Sequence, residues 1–92
     1  MEYYFYDPKH GGCLRIIRKV DKNLWVINGA YGNDEKQKGH WVAFAKKIKD
    51  KNYNLEVDFS HKKVNHAQIY KALWKNRKIH WQDGNTWIQM YS

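Results

Sequence analysis

"YNLEVDF", residues 53 to 59, alternates Tyr53, Leu55, Val57 and Phe59 with Asn54, Glu56 and Asp58. A period of two sends successive side chains to opposite faces, so the segment reads as a strand with one face buried and the other solvated. On its N-terminal side "KDKN" (49–52) is a tight charged turn, preceded by a further strand in "HWVAFAKKI" (40–48). On its C-terminal side "SHKKVNHAQ" (60–68) is polar and reads as a loop with at most one helical turn.

The same rhythm extends across the chain. Short apolar runs alternate with turn residues every 8 to 12 positions, and apolar residues nowhere keep helical spacing for three turns. "YYFY" (3–6) opens as a strand stopped by Asp7-Pro8 and Gly11-Gly12, because proline lacks a ladder donor and fixes φ. In "CLRIIRKV" (13–20), Leu14, Ile16 and Val20 are expected on one face, with Arg15 and Lys19 on the other. "LWVINGAYG" (24–32) follows, then a polar loop over Asn33 to Gly39. "IYKALWK" (69–75) and "KIHW" (78–81) join at Asn76-Arg77, and "TWIQMY" (86–91) comes last. The reading is a single all-β domain over residues 1–92, an antiparallel up-and-down meander of seven to eight strands forming a small barrel or half-barrel.

One hairpin carries a register choice. In "IHWQDGNTWIQM" (79–90) a two-residue turn at Asp83-Gly84 pairs Trp81 with Thr86 and His80 with Trp87. That register keeps Ile79, Trp81, Ile88 and Met90 on the core face and sets Trp87 on the second face beside His80. A three-residue loop slips the pairing by one, brings Trp87 to Ile79 and Trp81, and turns Ile88 and Met90 away. The first register is preferred because it keeps the aliphatic set together. Burying an indole contributes about 2 to 3 kcal/mol, so Trp87 then needs a cover: another strand, the "YYFY" segment, a partner or a stacked base.

Charge bounds the function. Seventeen Lys and Arg against nine Asp and Glu give a formal +8, which attracts nucleic acid, anionic lipid heads or acidic proteins, and equally serves solubility. Only three of the seventeen are Arg, so base-specific reading by guanidinium forks is disfavoured. The lysines gather at turns: Lys46, Lys47, Lys49 and Lys51 at one, Lys62 and Lys63 at another, Lys75, Arg77 and Lys78 at a third. Together they are the candidate nucleic-acid or anion-binding rim, with Trp41, Trp74 and Trp87 as candidate aromatic contacts. Solvated turn lysines that blunt sheet edges are the plainer explanation of the same pattern.

Other constellations carry less chemistry. His10, His40, His61, His66 and His80 with the single Cys13 lack paired zinc-ligand spacing, so no metal or cofactor is expected. Glu56 and Asp58 lie about 7 Å apart on one strand face, a separation open to carboxylate chemistry but simply explained by neighbouring lysines. Cys13 near His10 has no orienting third group. Neither glycine cluster leads into a helix as a phosphate loop would. A lone cysteine gives no internal disulfide, and no apolar run suits a signal peptide or membrane span, so an intracellular, non-membrane, non-secreted protein is expected.

The "IHWQDGNTW" hairpin, "GHWVAF" and the lysine, asparagine and isoleucine bias resemble small uncharacterised β-meander proteins of large DNA viruses of amoebae, the marseillevirus-like and mimivirus-like group. The resemblance implies a virion-associated or accessory protein of the host cytoplasm and supplies no catalytic residues. The functional expectation is a non-enzymatic basic protein that contacts nucleic acid or an acidic partner through lysine-rich turns. The alternative is a structural module, a homodimer or capsid-associated protein, using exposed aromatics or a free strand edge. The second alternative is a small-ligand-binding barrel or a hydrolase.

Overall fold

In the computed structural model, which describes residues 1–9, 14–32, 37–60 and 69–91, eight antiparallel strands close into a barrel. They are β1 (Glu2–Tyr6), β2 (Leu14–Asp21), β3 (Leu24–Gly32), β4 (Gln37–Lys47), β5 (Leu55–Asp58), β6 (Ile69–Lys75), β7 (Lys78–Trp81) and β8 (Thr86–Tyr91). Each strand pairs with its neighbours in sequence, and β1 closes on β8 through Tyr4–Tyr91, Phe5–Gln89 and Tyr6–Ile88. Among the described residues there is no helix. β4 begins at Gln37, inside the segment that composition assigns to a loop.

Closing so small a barrel requires strong coiling, which irregular pairing supplies. The register shifts between Tyr4 and Phe5, between Lys19 and Asp21, and between Ala30 and Gly32. The interior is filled in layers, with Phe5, Ile17, Ile27, Val57 and Ile79 at the centre. Large rings meet small partners across the ladder: Trp25 faces Ala45, Trp41 faces Gly29, and Trp81 faces Ala72. The interior of an eight-stranded barrel is narrow, so at these three positions each indole occupies space its glycine or alanine partner vacates.

Two expectations are corrected. On β2 it is Arg15 and Ile17 that face inward, while Leu14 is exposed and Val20 is 56% exposed. Adjacent Ile16 and Ile17 give both faces an aliphatic residue, so alternation alone cannot set the parity of this strand. The inward guanidinium settles it by pairing with Asp7. In the last hairpin the loop is the three-residue Gln82-Asp83-Gly84: the Trp81 N–H donates to Asn85 O at 2.8 Å and the Gly84 N–H donates to Trp81 O at 2.9 Å. Gly84 takes φ +94°, the left-handed position that this longer turn needs. His80 therefore pairs with Thr86, and Trp87 pairs with Ile79. Trp87 is 4% exposed with its ring 4.7 Å from that of Trp81, while Ile88 and Met90 face outward. The strong aromatic contact outweighs keeping the aliphatic set together.

Candidate functional site

The meander sends three connections to one end of the barrel: β2–β3, β4–β5 and β6–β7. Residues 19–23, 46–54 and 75–78, which form these connections and their flanks, carry nine Lys or Arg and two Asp. The described residues that form and flank the connections of the other end, 5–9, 14–15, 31–32, 37–38, 57–60, 69–70 and 80–87, carry three Lys or Arg and three Asp. The molecule is thus electrostatically lopsided along its axis.

An open-mouthed cavity of about 570 Å³ lies at the cationic end. Its walls are Tyr3 from β1, Trp25 from β3, Leu55 from β5 and Trp74 from β6, with Lys47, Ile48 and Asn54 at the β4–β5 side. The three rings meet at steep angles. Tyr3 and Trp74 are 5.0 Å apart at 88°, Trp25 and Trp74 are 5.2 Å apart at 61°, and Tyr3 and Trp25 are 5.9 Å apart at 59°. Edge-to-face packing of this kind is favourable and builds a corner rather than a stacked block. Lys19 Nζ lies 5.7 Å from the Trp25 ring, within cation–π range.

Asn54 fixes Trp74. Its Nδ2 donates to Trp74 O at 2.9 Å and its Oδ1 accepts from the Trp74 N–H at 2.8 Å, so one side chain imitates a strand pair beyond the end of β5. The Asn54 N–H also donates to Ala72 O at 3.0 Å. Nearby, Asp50 accepts from the Asn52 N–H and pairs with Lys71 Nζ at 3.3 Å, and these contacts hold its carboxyl below the usual carboxylate range. The Trp25 indole is 9% exposed, and its Nε1–H is buried without a hydrogen-bond partner among the described residues. Leaving such a donor unmatched costs about 1–3 kcal/mol.

The other end is plugged by charge. Asp7, 1% exposed, accepts from the Lys9 N–H at 3.0 Å and from Asn85 Nδ2 at 3.1 Å through Oδ1, and its Oδ2 lies 3.5 Å from Arg15 Nη2. The Arg15 guanidinium carbon is 5.5 Å from both the Trp41 and the Trp87 rings. A buried guanidinium needs a counter-charge, and here one carboxylate and two π-faces supply it.

Among the residues expected to form a site, Lys46, Lys47, Lys49, Lys51, Lys75, Arg77 and Lys78 gather at the cationic end with Trp74. Lys46 pairs with Glu56 at 3.4 Å on the outer wall, as befits a solvated carboxylate facing lysine. Lys62 and Lys63 lie outside the described residues. Trp41 and Trp87 are interior residues at the other end, surrounding Arg15. His10, Cys13, His61 and His66 also lie outside the described residues, and among the described ones no three His, Cys, Asp or Glu converge as metal ligands. His80 contacts Thr86 Oγ1 at 3.5 Å. Tyr3, Trp25 and Lys19 escaped the sequence reading; only the order of the strands brings Tyr3 and Trp25 to the mouth that Trp74 lines. No protein-family model, curated protein or solved structure matches the chain.

Proposed function

We propose that the protein is a non-enzymatic binder of nucleic acid, engaging it with the cationic end of the barrel. The observation that carries this reading is the coincidence, at one end, of clustered cations with an aromatic-walled cavity. Ammonium groups on short turns neutralise phosphates with little demand on sequence, and the predominance of lysine over arginine favours backbone contact over base-edge recognition. The resemblance to amoebal-virus proteins extends the proposal to a viral accessory or virion-associated role.

The reading is tested by fluorescence polarisation of a labelled mixed-sequence oligonucleotide at several salt concentrations. Four or so phosphate contacts give a slope of log K against log salt of about −3. Charge reversal of Lys49, Lys51 and Lys75 should abolish most of the affinity, whereas reversal of Lys9 at the other end should leave it nearly intact. Binding that ignores both salt and these substitutions overturns the proposal.

A second reading has its own support. Outward-facing Ile88, Tyr6 and Leu14 are consecutive ladder partners across β8, β1 and β2, with Met90 exposed farther along β8. Such a strip suits a homodimer or a capsid-associated module, and a concentration-dependent mass in light scattering that Leu14→Lys removes would favour it.

A further inference from the structure

Resting on the nucleic-acid reading, we propose that the cavity formed by Tyr3, Trp25 and Trp74 receives one unstacked nucleotide unit, so that the protein selects single strands and strand ends over continuous duplex. The cavity volume of about 570 Å³ is of the size that holds small planar ligands. Its three rings form a corner in which a flat base meets one ring face-on and another at its edge. Lys19 and Lys47 occupy inward register positions opposite Trp25 and Leu55, which sets two ammonium groups at the mouth where an attached phosphate would lie. Rings and cations thus match the base and the phosphate of a nucleotide. A base held in a continuous stack cannot enter a cavity at a barrel mouth, and that restriction supplies the selectivity.

The same chemistry is offered by a strand and by a free nucleoside monophosphate, and the experiment separates them. The 92-residue chain is titrated with a mixed-sequence single strand, with a closed-ended duplex of equal length and with a mixture of nucleoside monophosphates, following intrinsic tryptophan fluorescence and polarisation. The single strand should bind about tenfold or more tightly than the duplex and quench emission. Trp25→Phe, which replaces the indole by a smaller aromatic ring, and Trp74→Ala should each weaken the single strand by about 10- to 100-fold while leaving the duplex unchanged. Circular dichroism and urea midpoints establish that both variants fold, and Trp25→Phe carries the test if Trp74→Ala does not.

Equal, salt-steep binding of strand and duplex, indifferent to Trp25→Phe, overturns the inference and leaves the electrostatic reading standing. Monophosphates that bind as tightly as the strand overturn the polymer as the source of the nucleotide. No binding of any probe at low salt overturns both readings.

Discussion

Arg15 shows how one residue can oppose the pattern of its strand. Its guanidinium is 5% exposed, between two indoles and against Asp7, and that carboxylate also accepts hydrogen bonds from Lys9 and Asn85. Removing the carboxylate takes a counter-charge away from a buried cation. Asp7→Ala should therefore destabilise the barrel by about 3–5 kcal/mol, read from urea unfolding. Asp7→Leu with Arg15→Met replaces both charges by apolar volume and should restore most of that loss; a double variant as unstable as the single one would show that packing, not charge, is decisive. Gly29 is equally exacting, because a Cβ there would collide with the six-membered ring of Trp41. Gly29→Ala should cost about 1–3 kcal/mol, with a shift in tryptophan emission as the indole moves. Neither feature was legible in one dimension. "DP" reads as a strand stop and "LRIIR" as an aliphatic face with outward charges, since periodicity carries no information about a partner eight residues away across a loop.

At the scale of the element, what could be read was what period and punctuation encode. β5, β6, β7 and β8 fall where their apolar alternation and flanking turns place them, because a one-face-buried strand must alternate. The β7–β8 register was ambiguous for a definite reason: an Asp-Gly pair serves a two-residue turn and also the end of a three-residue one, with glycine in a left-handed conformation in both. The β6–β7 turn is the cleaner case. Lys75 pairs with Lys78, and Asn76 and Arg77 have φ of 53° and 64°, as a two-residue mirror-image turn requires. Asparagine tolerates that region; arginine does so at a cost of about 1 kcal/mol. Arg77→Gly should accordingly raise stability by about 1 kcal/mol in urea melts and, in the proposed function, lower oligonucleotide affinity with a salt slope shallower by about 0.7. Opposite signs for stability and affinity would mark Arg77 as retained for its charge. A loss of both would mean that its side chain contributes to packing.

For the whole molecule, closure decides how these parts combine. Strand order in a meander assigns connections to alternate ends, so Lys46–Lys51 and Lys75–Lys78 share an end because two strands, β5 and β6, separate them. That much follows from counting turns. Closure itself did not follow, since a half-barrel has the same alternation and differs only in whether β1 finds β8. Those strands meet through Tyr4–Tyr91, Phe5–Gln89 and Tyr6–Ile88, the pairing most distant in sequence. Trp87 on β8 also covers Arg15, so the seam and the charged plug are one structure. Ending the chain after Asn85 removes β8, strips the guanidinium of an aromatic wall and leaves β1 and β7 as unpaired edges. Such edges recruit other chains, and the buried pair loses its seal. The shortened chain should lose the single cooperative urea transition of the intact protein and elute as aggregates in size-exclusion chromatography with light scattering. A monomeric truncation that kept the original midpoint would mean that the open seven-stranded sheet is already stable and that the seam serves only to hold Trp87 over Arg15.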